Sequence, residues 1–231
     1  MARISKRALT RLEIIQEASK QFLEKGYTRT TVSAISKALE MSPGNLTFHF
    51  PTKEHLLAEL VDMMCRFQWE KMEEEAEDGI SSIMAICLEL ACMASAGEDD
   101  EVIQNFFISA YTSPMCLGII RRNDTARAKQ VFGAYRPDWT EEQFAEAEIL
   151  CSGIEYATLM TAGTPVPLEQ RIDGALHSIL DLYGIPKEVR CSKIQKVLAM
   201  DHKGLGKRVV QEFRDHVAQA SEQALQDLLK R

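Results

Sequence analysis

The sequence is poor in residues that interrupt helices, with only twelve glycines and seven prolines in 231 positions. It also has no convincing stretch of strand-like alternation, so long helices are expected and a sheet is not. Paired cysteines are missing too. Cys65, Cys87, Cys92, Cys116, Cys151 and Cys191 are scattered without a C-x-x-C pair, most of them in apolar helical contexts. That pattern excludes a disulfide framework and argues against a metal or redox centre. The longest apolar run, ISSIMAICLELACMASAG, is broken by Glu89 and is too short to span a bilayer. The start, MARISKRALTR, carries charges with no apolar core behind them, so no secretory leader is expected. H-E-x-x-H, G-x-S-x-G and glycine-rich phosphate loops are all lacking. The expectations are a cytoplasmic protein with reduced thiols, no membrane partner, no cofactor, no metal and no catalytic residue.

What is present is an uneven charge distribution and helical periodicity. The net charge is −7, which taken alone speaks against a nucleic-acid partner. Residues 1–57, however, carry nine Lys/Arg against five acids, and the remainder 18 against 29. A basic amino end on an acidic body is the asymmetry expected when one end meets a polyanion. Leu9, Leu12, Ile15, Ala18 and Phe22 form an amphipathic stripe that predicts a helix over 8–25, closed by Gly26. Thr31 can cap a short second helix over 31–38 and Ser42 a third, with Pro43 in its first turn. Pro51 must end the third helix, because it pushes Phe50 out of helical geometry. A fourth helix is predicted over 53–77, and further ones over 80–96, 98–112, 114–134, 140–163, 168–183, 187–200 and 204–230. Gly97 and Gly204 count among the expected breaks.

Three short helices, the second and third joined by a tight turn, make a helix-turn-helix. A short third helix with small polar residues can enter a major groove about 12 Å wide. Ser42, Asn45 and Thr47 supply hydroxyl and amide groups, and Gly44 lets the backbone come close to phosphate. Phe48 and His49 follow, with Phe50 the stronger candidate for a core peg. Arg29, Thr31, Lys37 and Lys53 are expected to add phosphate contacts.

Residues 14–60, IIQEASKQFLEKGYTRTTVSAISKALEMSPGNLTFHFPTKEHLLAEL, resemble the TetR family of bacterial transcriptional regulators. Phe22, Gly26, Tyr27, Thr30, Thr31, Val32, Ile35, Ser42, Gly44, Leu46, His49, Phe50, Lys53, Leu56 and Leu57 stand in register with that family's pattern. Three positions depart from it. The turn is Leu39-Glu40-Met41 instead of Ala-Gly-Val, with Glu40 where glycine permits a positive φ. Ser36 replaces alanine, and Thr47 replaces tyrosine. The resemblance implies an all-α protein in which an amino-terminal three-helix helix-turn-helix DNA-binding domain, 1–52, is fused to a helical ligand-binding and dimerisation domain, 53–231. It implies a homodimeric regulator, most simply a repressor, on a near-palindromic double-stranded DNA operator, released by a small-molecule effector. The departures at Glu40 and Thr47 support an alternative: a module of the same descent that has lost specific DNA recognition and acts through ligand or protein binding.

For the body, Met64, Phe67, Met84, Cys87, Phe107, Tyr111, Tyr156 and Met160 are the candidates to line a ligand cavity, since methionine-rich packing is adaptable. The same residues are also what a plain helical core contains. Acidic runs at 70–78 and 97–101 read as solvated faces. The apolar faces of 140–163 and 168–183 are the expected dimer surface. The segment 187–231 either caps the dimer or covers the cavity, and the sequence leaves both open.

Overall fold

The computed structural model describes residues 6–77, 82–161 and 163–229. These residues form eleven helices and no strand. Helix α1 (Lys6–Lys25) buries Ile14, Ile15, Ala18 and Phe22. It stops at Gly26, whose φ of +91° is readily adopted only without a Cβ, and whose N–H closes on the Phe22 carbonyl at 3.1 Å. Helix α2 (Val32–Ala38) is capped by Thr31, whose Oγ1 accepts the Ala34 N–H at 3.1 Å. Helix α3 (Pro43–His49) is capped by Ser42 in the same way, Oγ accepting the Asn45 N–H at 3.2 Å. Between them Glu40 takes φ 53°, so the turn keeps its shape although glycine is missing there, and the strain rests on an exposed residue.

Phe50 leaves the helical region just before Pro51, as expected, and packs into the core with Leu46, Leu56 and Leu57. Helix α4 (Lys53–Glu77) then runs for about 37 Å at 1.5 Å per residue. Its first half buries Leu56, Leu57 and Leu60 beside α1, and its second half reaches into the body with Met64 and Phe67.

The body is built round α5 (Ser82–Asp99), an apolar helix that packs against α4, α6 (Glu101–Thr112), α8 (Glu141–Met160), α9 (Leu168–Leu182), α10 (Lys187–Leu198) and α11 (His202–Leu229). Helix α7 (Pro114–Phe132) closes the other side between α4 and α8. Two expected breaks fall elsewhere. Helix α5 continues through Gly97, because that residue is buried against Gln104. The chain turns instead at Asp100, whose carboxylate accepts the Val102 and Ile103 N–H groups at 2.8 and 3.2 Å. Helix α11 begins at His202, and Asp201 caps the Gly204 N–H at 2.9 Å.

The run 97–101 is therefore not a plain solvated face. Glu98 pairs with Arg171, Asp99 with Lys207 at 3.1 Å, and Asp100 caps α6. The run 70–78 reaches past the described residues. No described residue of the carboxyl-terminal segment lines the main cavity. Helix α11 lies on α5 at Gly206, where a Cβ would come within 2.6 Å of the Cys92 carbonyl oxygen. It also grips α1, Arg214 Nη2 donating to the Leu23 carbonyl at 2.6 Å.

Candidate nucleic-acid interface and buried cavity

Helix α3 is anchored on one side and open on the other. Leu46 is fully buried, while Ser42, Pro43, Gly44, Asn45, Thr47 and Phe48 are exposed and His49 half-exposed. Phe48 shows 67% of its surface, with the Arg7 guanidinium 5.2 Å from its ring centre. Behind it Arg11 sits 4.1 Å over the Phe50 ring, donates to the His49 carbonyl at 3.2 Å and pairs with Glu59. Burial, then the neighbouring Arg7, lowers the Arg11 pKa from its ordinary value. Two arginines of α1 thus fix the inner and outer aromatics of α3. Arg29, Thr31 and Lys37 are exposed.

Lys53 is placed differently from the expected phosphate contact. Its ammonium donates to the carbonyls of Tyr27 and Thr30, both at 2.9 Å, and lies 4.1 Å over the Tyr27 ring. Partial burial lowers its pKa. Two carbonyls of the turn after α1 hold the ammonium, so Lys53 ties α4 to that turn. Thr47 also turns back, its hydroxyl donating to the Gly44 carbonyl at 3.1 Å.

The body holds a cavity whose walls come from α4 to α9. Its envelope of non-atomic space is about 900 Å³, but only about 70 Å³ of it admits the centre of a water molecule. A guest larger than that would have to displace flexible side chains such as Met64 and Met93. Of the eight candidates read from the sequence, Met64, Cys87, Phe107 and Tyr111 line it.

Phe67, Met84, Tyr156 and Met160 do not line it. Phe67 turns to α11, 5.4 Å from the Phe213 ring. Met84 is buried one turn nearer the start of α5 than Cys87. Tyr156 follows Glu155, which faces the cavity, and one residue along a helix is a rotation of about 100°. Met160, near the end of α8, is exposed.

Sequence reasoning missed the polar wall. Glu89, Asp124, Glu148 and Glu155 face the same space, with Arg127 as the basic residue among them. The available signal was Glu89, the charge that interrupts the most apolar helix. Arg127 pairs with Glu89, stands 3.8 Å from Asp124 and lies over the Trp69 ring at 4.7 Å. Burial alone would lower its pKa, but the two carboxylates outweigh burial and raise it. Glu148 accepts a short hydrogen bond from Tyr183, and Glu155 accepts one from Tyr111 at 2.8 Å.

Burial raises all three carboxyls Asp124, Glu148 and Glu155, and for Asp124 and Glu155 their acidic neighbours push further up. Asp124 lines the cavity and keeps 23% of its side-chain surface accessible. The thiols are held protonated: burial pushes Cys87 up to about 12 and Cys65 and Cys151 higher. No group of three His, Cys, Asp or Glu among the described residues converges as metal ligands do. No helix among them is long and apolar enough to cross a membrane.

Residues 14–60, which carry α2, α3 and the start of α4, match the sequence profile of the family described as bacterial regulatory proteins, tetR family. Residues 14–60 are thus similar to the module that defines the tetR family. The HTH-type transcriptional regulator QacR of Staphylococcus aureus (strain Mu50 / ATCC 700699) is 39% identical over 62 residues, 26% of this chain and 33% of that one. The HTH-type transcriptional regulator LmrA of Bacillus subtilis (strain 168) is 32% identical over 108 residues, 45% of this chain and 57% of that one. The matches to these curated relatives thus span 33% and 57% of their length. A solved structure described as the TetR family protein CprB from S. coelicolor A3(2) is 20% identical, covers 90% of this chain and 100% of that one, and has a TM-score of 0.45.

Proposed function

We propose that this tetR-family chain is a dimeric transcriptional regulator that represses from a near-palindromic double-stranded DNA operator in the cytoplasm and lets go when a small molecule fills the cavity. Residues 1–52 are the reading unit and 53–231 the ligand-binding and dimerisation unit. The observation that carries the reading is α3 itself: one side pinned by Leu46, Phe50 and Arg11, the other presenting Gly44, Asn45, Thr47 and Phe48 outward. In a dimer, two such helices would enter successive major grooves about 34–36 Å apart.

Two rods join the reading unit to the cavity. Helix α4 supplies Met64, Cys65 and Gln68 to the cavity wall and Lys53 to the turn after α1. Helix α6 supplies Phe106 and Phe107 to the wall, while the adjacent Asn105 accepts the Thr28 N–H at 3.1 Å. A guest that moves either rod shifts α3, and it weakens DNA binding only if it prefers the displaced state.

The test is fluorescence anisotropy on the DNA upstream of the chain's own gene across a salt series. Asn45→Ala should weaken binding about tenfold and relax discrimination at one base pair. Arg29→Ala should weaken it evenly and reduce the salt slope by about one. Unchanged binding in both variants would overturn the assignment of the reading face. The Thr47 hydroxyl, bonded to the Gly44 carbonyl of its own helix, favours a second reading, a module without specific DNA recognition, and equal affinity for unrelated duplexes in the same assay would establish it.

A further inference from the structure

We infer that the effector taken by this cavity is an apolar organic cation with an N–H donor, an arylalkylammonium or a molecule of that kind. The inference rests on the reading of the cavity as the effector site and adds its chemical class. Four carboxyl groups, Glu89, Asp124, Glu148 and Glu155, share the space with a single guanidinium. That guanidinium is already engaged: Arg127 pairs with Glu89, neighbours Asp124 and stacks on Trp69. An anionic guest would find no free positive charge in the wall and would face an excess of carboxyls.

The acceptors are free in a way a closed core would not allow. Asp124 accepts no hydrogen bond among the described residues, stands 3.8 Å from Arg127 and lines the cavity. Gln68 is 7% exposed, lines the same space and has no side-chain hydrogen-bond partner among the described residues. A bound N–H donor would give the Gln68 amide oxygen a partner. These two acceptors stand on α4 and α7, and no three ligating side chains among the described residues converge on one point, which suits the N–H groups of an organic ion and not a metal ion. The rest of the wall is apolar and aromatic. Phe106, Phe107 and Tyr111 offer ring surface to a hydrocarbon body and ring faces to a charge.

Three probes of one shape separate charge from fit: 4-phenylbutylamine, 4-phenylbutanol and 4-phenylbutanoate, titrated calorimetrically into the full-length protein near neutral pH. The amine should bind about tenfold or more tightly than the alcohol, and the carboxylate more weakly than either. Asp124→Asn and Glu155→Gln, both close to isosteric, should each reduce the advantage of the amine over the alcohol several-fold. An alcohol that binds as well as the amine and releases operator DNA overturns the cation and leaves the effector site standing. A carboxylate that binds best, or an amine preference untouched in both variants, also overturns it. Failure of all three probes to bind at millimolar concentration overturns the cation together with the effector reading.

Discussion

Phe48 and Phe50 are two residues apart on one short element and have opposite environments. Phe50 is almost fully buried, whereas Phe48 is two-thirds exposed. Phe50→Ala should cost about 3–5 kcal/mol of unfolding free energy in urea titration. Phe48→Ala should change it by less than about 0.5 kcal/mol and instead weaken operator binding where thymine methyls meet the ring. If Phe48→Ala unfolds the protein or leaves DNA affinity unchanged, Phe48 is not a reading residue.

The cavity carboxyls have a consequence of their own for pH. Asp124 faces Arg127, Glu148 and Glu89, and Glu155 faces Asp124, Glu148, Tyr111 and Glu89. Their folded pKa values lie above the unfolded ones, so the native state holds more protons over that interval. The contribution is fully present below the ordinary carboxyl range and is lost as pH rises through the folded values. The ligand-free protein should therefore melt at a higher temperature at about pH 5 than at about pH 8, and Asp124→Asn should flatten part of the difference. A melting temperature that rises over that range and is insensitive to the substitution would contradict the burial of these groups.

At the scale of elements, the proposed regulation makes α6 the simplest coupler. Its Phe106 and Phe107 touch the cavity, and its Asn105 holds the segment after α1 through Thr28. Helix α4 is held more firmly, by Lys53 at one end and core packing along its length. Asn105→Ala should keep operator affinity within a few-fold and reduce the effect of a bound ligand on it. A loss of about 1 kcal/mol of coupling, roughly fivefold, is the expected size, read as operator affinity with and without ligand. Full coupling in that variant would assign the signal to α4 alone.

At the scale of the whole molecule, the expected dimer face has divided in two. Phe144, Ala147, Leu159, Leu176, Ile179, Leu180 and Tyr183 are spent on the chain's own core. What remains outside on α8 is Ile149 and Leu150, each 52% exposed, then Gly153, Ala157 and Met160, a stripe at helical spacing. Ile149→Glu should lower the mass seen by light scattering from dimer to monomer, with helix content unchanged by circular dichroism. A dimer that survives the substitution would place the interface elsewhere. Loss of the dimer should also weaken operator binding, because two half-sites would no longer be held together.

The amino acid order by itself determined the helices and the reading module. Caps at Thr31 and Ser42, the stop at Pro51 and the stripe along α1 act within a few residues, so they are readable from a linear chain. Gly97 looks like a break in the linear chain, and α5 runs through it because its contact with Gln104 comes from packing. Only the tertiary structure decided which polar groups meet in the cavity and that Lys53 points inward. Gln68, Glu89, Asp124 and Glu155 stand on four different helices, and periodicity says which face a residue occupies but not which neighbour that face will meet.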